Sequence, residues 1–167
     1  WTVADGGNGK LYIGHVHHGF SILSIKDKKV RNFVHDPNNR NSLPGNEVRC
    51  VYKDMNHNIW VGTNKGLALF NPESENFIQF NSDGNLSHYI YDIRQLDGNK
   101  LWIAMEFGGI AIMDLSQRLF LLPEQTQFHY IREGDDGYSL SNSSARCIFQ
   151  DSFKNIWTGV WLSLIHI

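Results

Sequence analysis

Asn46–Phe80, NEVRCVYKDMNHNIWVGTNKGLALFNPESENFIQF, holds four short apolar runs separated by polar turns. Residues 47–53 are rich in Val and Tyr and read as a first strand. Asp54-Met55-Asn56-His57-Asn58 reads as a turn, because Asp and Asn bond nearby backbone and tolerate left-handed conformations. Ile59 to Thr63 is the second strand, Gly66 opens a third over Leu67 to Phe70, and Asn76 to Phe80 makes a fourth after the turn Asn71-Pro72-Glu73-Ser74. No helical periodicity interrupts them.

The stretch is one copy of a repeat. LYIGHVHHGFSIL from Leu11, IWVGTNKGLALF from Ile59, LWIAMEFGGIAIM from Leu101 and IWTGVWLSLIHI from Ile156 align without strain. Each opens on an aliphatic residue followed by an aromatic: Tyr12, Trp60, Trp102, Trp157. Two positions later stands a small residue: Gly14, Gly62, Ala104, Gly159. Nine positions before the aromatic lies an aliphatic: Val3, Val51, Ile93, Ile148. Turns matching Asp54–Asn58 fall at Asp5–Gly9, Asp97–Asn99 and Asp151–Asn155. Periods of about 40–50 residues with an aromatic and a Gly per unit specify propeller blades. The fold expected is all-β: a propeller segment of about four four-stranded antiparallel blades, an incomplete ring. The blades span roughly residues 1–36, 44–80, 87–132 and 144–161.

A strand with one wet face alternates apolar and polar residues. Ile59-Trp60-Val61 and Leu101-Trp102-Ile103 are apolar on both faces, so both faces of each sheet should be covered, and neighbouring blades supply the cover. The aromatic should fill the gap between blades, and the Gly after it should leave room for close approach. Tyr12, Gly14, Trp60, Gly62, Trp102, Trp157 and Gly159 are therefore read as the structural core of the repeat.

The second copy closely resembles the two-component regulator propeller repeat, carried by Val48, Val51, Asp54, Asn58, Ile59, Trp60, Val61, Gly62, Thr63, Gly66 and Leu67. The polar connectors HDPNNRNSLPGNEV and REGDDGYSLSNSSA resemble those between such repeats, and the likeness runs over about residues 1–161. The third copy departs from the pattern, with Leu96 where the second has Asp54 and Ala104-Met105 where it has Gly62-Thr63. The resemblance implies a periplasmic sensor region of a Bacteroidetes-type hybrid histidine kinase, held to the membrane through its parent protein and responding to oligosaccharides. It also implies further blades and a homodimer of the parent. Other output domains, such as a diguanylate cyclase, occur on the same blades. A propeller lyase or glycosidase is the alternative from another class. Past Trp161 the pattern fails: Ser163 and Leu164 stand where a Gly is due, so residues 162–167 are expected to be an off-pattern tail of assembly or cloning origin.

Composition narrows the function classes. The formal net charge is −2, which gives no basic patch for nucleic acid. No apolar run approaches the roughly 18 residues of a membrane helix. The chain opens on Trp1 without a signal-peptide pattern and reads as cut from something longer. Cys50 and Cys147 occupy equivalent strand positions, VRCVYKD and ARCIFQD, and are expected to be small buried residues that do not bridge.

His15, His17 and His18 form the one run that suggests metal, but no Cys, Asp or Glu stands near it in sequence, and the equivalent loops carry Thr63-Asn64-Lys65 and Met105-Glu106-Phe107. It is read as loop variation, with no metal site. No nucleophile elbow is present, and Asp135-Asp136 lies in a polar connector, so no catalytic residue and no cofactor is assigned. Ligand recognition falls to loops at one end of the blades. Those loops present His15, His17, His18, Asn64, Lys65, Glu106, Phe107 and Trp161 as the candidate ligand face.

Overall fold

A computed structural model describes residues 2–80, 86, 88–96, 98–116, 122–134, 140–161 and 163–166. The turn residue Asp97 and the Asp135-Asp136 pair lie outside them. The chain divides into two compact units, Trp1–Tyr89 and Ile90–Ile167.

The first unit holds two antiparallel meanders. β1 (Thr2–Gly7), β2 (Lys10–Gly14), β3 (Phe20–Ser24) and β4 (Lys29–Phe33) form one sheet in that order. β5 (Val48–Lys53), β6 (Ile59–Thr63), β7 (Gly66–Asn71) and β8 (Asn76–Phe80) form the other. The strands of the second copy thus fall where its alternation of apolar runs and turns places them. All five residues of β6 are buried, as expected of a strand covered on both faces. Tyr12, Phe20, Val48, Val51, Ile59, Val61, Phe70 and Phe77 share one core between the two sheets. Phe20 stands 5.2 Å from Phe70 between ring centres, and Tyr12 5.6 Å from Phe20. Gly14 is obligatory here, since a Cβ on it would lie 2.6 Å from Val48 Cγ1 in the next sheet. Burying each large side chain in this core contributes about 1.5–3 kcal/mol.

The second unit repeats the scheme. β9 (Ile90–Leu96), β10 (Lys100–Met105), β11 (Gly109–Asp114) and β12 (Phe128–Ile131) form a four-stranded meander, with a short 3-10 turn at Pro123–Gln125 before the last strand. β13 (Ala145–Gln150), β14 (Ile156–Val160) and β15 (Ser163–His166) form a three-stranded sheet. Trp102, Ala104, Ile110, Ala145, Ile148, Ile156 and Val160 pack together between them. Tyr12 and Trp102 both pack against the following sheet of their unit.

The Asp-led turn recurs atom for atom. Asp54 Oδ1 accepts the backbone N–H of Asn56 and Asn58, and Oδ2 accepts Asn58 Nδ2 and the indole Nε1 of Trp60 at 2.9 Å. Asp151 receives the same four donors from Phe153, Asn155 and Trp157.

Several expectations change. Cys147 is exposed while Cys50 is buried. Cys147 stands beside Ile148 on β13, so it points from the opposite face, which no described sheet of its unit covers. Neither cysteine is in a disulfide. The first turn is only Asn8-Gly9, because Asp5 to Gly7 stay in β1 through a bulge. The fourth blade extends beyond residue 161, since the backbone of Ser163–His166 pairs antiparallel with β14. Ser163 opposite Val160 takes the register place that Gly66 holds opposite Thr63. No helix among the described residues is long and apolar enough to cross a membrane.

Candidate ligand-binding loops

In each unit the loop between second and third strands meets the connector that leads into the next sheet. In the first unit, Val48 N donates to His15 O, Gly19 N to Asn46 O, and Asn64 N to Glu47 O. In the second, Gly109 N donates to Ser143 O and Trp161 N to Ser144 O. Loops and connectors therefore share one end of the strands within each unit. At the opposite end of the first unit, Lys10, Tyr12, Lys53 and His57 line an open hollow.

The first unit carries five of the candidate residues. His15 is half-buried, and His17, His18 and Lys65 are exposed. His15 Nε2 bonds Ser21 Oγ at 2.8 Å, while Ser21 gives its own hydroxyl proton to Asn32 Oδ1. Nε2 must therefore be the donor, which commits His15 to its own sheet. The His15 and His18 rings stand 6.5 Å apart, edge to face. Among the described residues no three His, Cys, Asp or Glu side chains converge as a metal site requires. Asn64 packs its Oδ1 against Gly45, where a Cβ would stand 2.1 Å away.

Glu106, Phe107 and Trp161 belong to the second unit. Phe107 and Trp161 are 72% and 57% exposed, too much for packing residues. Both chain segments are tied to one residue: Phe107 N donates to Ser144 Oγ and Trp161 N to Ser144 O. Glu106 Oε1 accepts Arg146 Nη2 at 2.9 Å and Tyr91 Oη at 3.1 Å. The Arg146 guanidinium lies 3.9 Å from the Tyr91 ring centre and 4.9 Å from that of Trp161.

The sequence reading missed Arg146 and Tyr91, because both lie within strands. The strand ladders reveal what sets them apart. The register slips between Val48 and Cys50, between Ile90 and Asp92, and between Ala145 and Cys147. Arg49, Tyr91 and Arg146 are thus the extra residues of bulges at equivalent places in three blades. A bulge re-aims its side chain out of the pleat. In the first unit Arg49 pairs with Glu47 and lies 5.1 Å from the Tyr89 ring centre, the same Arg, Tyr and Glu combination. The only available signal was the Arg-Cys pair shared by two copies.

Residues 42–65, which include the Asp54 turn and the Trp60 strand, match the two component regulator propeller family. These residues are a two-component regulator propeller repeat. A curated relative, Histidine kinase P4 of Formosa agariphila, is 30% identical over 86 residues, 47% of this chain and 6% of that protein. Among solved structures, the extracellular domain of a protein described as a hybrid two component system from B. thetaiotaomicron is 56% identical over 96% of this chain, with a TM-score of 0.79. A second such extracellular domain from B. thetaiotaomicron, at 17% identity and the same TM-score over 99% of the chain, shares the fold. The repeats of this chain span 19% and 23% of those two chains.

Proposed function

We propose that this chain is part of the periplasmic, ligand-sensing propeller of a hybrid histidine kinase that responds to oligosaccharides. The observation that carries the proposal is the 56% identity over 96% of the chain to an extracellular domain of a hybrid two component system. The kinase relative supports the same output. Fold alone would not suffice, since propellers host many functions. The chain contributes recognition and no catalytic step; further blades of the parent complete the ring, and a homodimer of the parent passes the signal across the membrane.

The test is genetic. The segment is deleted in frame from the chromosomal gene, and transcripts are profiled after transfer to single oligosaccharides. One oligosaccharide should induce a gene set in the intact strain and fail to do so in the deletion strain. Identical responses of both strains to every oligosaccharide would refute the reading.

A further inference from the structure

We infer that Trp161, Phe107, Glu106 and Arg146 form a binding site for neutral pyranose units of an oligosaccharide. The inference rests on the oligosaccharide reading above and gives it a location and a chemistry.

The cluster combines two features that a sugar ring needs. The first is an exposed aromatic face that is held still. One side of the Trp161 indole rests on the Arg146 guanidinium, and the residue remains 57% exposed. Arg146 itself lies over both the Tyr91 and the Trp161 rings and is bonded to Glu106. A rigid ring presents apolar area at little entropic cost, and the C–H face of a pyranose supplies matching area.

The second feature is a hydrogen-bonding edge beside that face. Both bonds to Glu106 from the described residues end on Oε1, leaving Oε2 to accept. Arg146 Nη2 is engaged with Glu106, leaving Nη1 to donate. An acceptor next to a donor fits two adjacent hydroxyls, one giving a proton to the carboxylate and the other receiving one from the guanidinium. The two charges already cancel, so the site has no excess positive charge to offer an acidic sugar.

Phe107 adds an independent sign. It is 72% exposed and holds φ at +59°, a left-handed conformation that a bulky side chain rarely adopts. The equivalent loop of the first unit closes on Gly19 as this one closes on Gly109, both at positive φ, but His17, which stands where Phe107 does, is not left-handed. A strained, exposed Phe whose backbone is tied to the same Ser144 as that of the exposed Trp161 serves the fold poorly and a ligand well.

The test titrates the chain with cellotetraose, mannotetraose, galactotetraose, xylotetraose and tetragalacturonate, following heat and tryptophan emission. One neutral tetrasaccharide should bind. Phe107→Gly and Trp161→Ala should each weaken it about tenfold or more. Phe107→Gly should do so while leaving the unfolding temperature equal or higher, which separates lost binding from lost folding. Neutral binding that both variants preserve would overturn the site while leaving oligosaccharide sensing intact. Tightest binding of tetragalacturonate would overturn its chemistry. No binding of any neutral probe would overturn the site too, and the transcript experiment would then judge the sensing role by itself.

Discussion

The indole nitrogen of Trp60 donates to Asp54 Oδ2 at 2.9 Å, six residues back along the chain. Trp157 does the same to Asp151 at 3.0 Å. The position six back from Tyr12 is Gly6, and a Tyr ring has no N–H to satisfy there. The position six back from Trp102 is Leu96, and the buried Trp102 Nε1 has no acceptor among the described residues. The repeat thus keeps its Asp where the ring carries an N–H, except in the third copy. There Leu96 pairs with Lys100 as the last rung of the ladder and packs on the apolar core.

That difference predicts unequal costs for one substitution. Trp60→Phe strips a bonded partner from the buried Asp54 carboxylate, whereas Trp102→Phe removes a polar group that has no partner. With similar volume lost, Trp60→Phe should destabilise by about 2 kcal/mol more than Trp102→Phe. Urea unfolding of the two variants measures the gap; equal costs would contradict it.

Acid should weaken the Asp151 turn. The indole of Trp157, then the side chain of Asn155, hold the Asp151 carboxyl below the usual carboxylate range. A depressed folded value adds stability above the unfolded value of about 3.9, and that stability is lost as pH falls through the folded value. Asp151→Asn should therefore be less stable at neutral pH and lose less on going to about pH 3. Thermal unfolding at both pH values checks this, and parallel losses in the two proteins would count against it.

Two glycines of similar backbone conformation should respond differently to alanine. Gly19 and Gly98 have φ of +72° and +74°. A Cβ on Gly19 would lie 2.1 Å from the Phe33 carbonyl oxygen, while one on Gly98 meets nothing within 4 Å. Gly98→Ala should cost about 1 kcal/mol, the left-handed penalty alone. Gly19→Ala should cost about 3 kcal/mol or more, since backbone must move. Chemical denaturation of the pair gives the comparison.

The two thiols should separate in reactivity. Cys147 is exposed and Cys50 buried. A disulfide reagent should label one thiol per chain quickly in the folded protein, and Cys147→Ser should abolish that fast phase. Two fast phases, or none, would be inconsistent with the structure.

The sheet carrying Cys147 also turns Phe149 and Leu164 outward, 63% and 66% exposed. Its Trp157 is half-buried, whereas Tyr12 and Trp102 are buried under a following sheet. Apolar sheet faces of this kind pair with one another. Light scattering of the isolated chain should show self-association, and Phe149→Lys should reduce it. A monodisperse monomer would contradict this.

Much of the fold was legible in the sequence because the aromatic, the following small residue and the Asn/Asp turns each do one local job. The second copy could be bounded to within a residue or so, since Gly66 and Asn58 mark strand ends chemically. Cys147 was misread because a similar local string was given the burial of Cys50. Burial depends on which sheet lies opposite, and no local string carries that. Arg146 and Tyr91 were hidden for a related reason: a bulge is a slip between two strands, and one strand's residues do not display it. Glu106, Phe107 and Trp161 were legible as loop residues, but their convergence on Ser144 and Arg146 needed the strand pairing.

The most direct test of the sensing account is phosphotransfer in membranes bearing the parent sensor, measured with and without the tetrasaccharide that the chain binds. The account predicts that this glycan changes receiver phosphorylation, and that Trp161→Ala removes the change. Phosphorylation that ignores the glycan, or responds equally well in the Trp161→Ala protein, would contradict it.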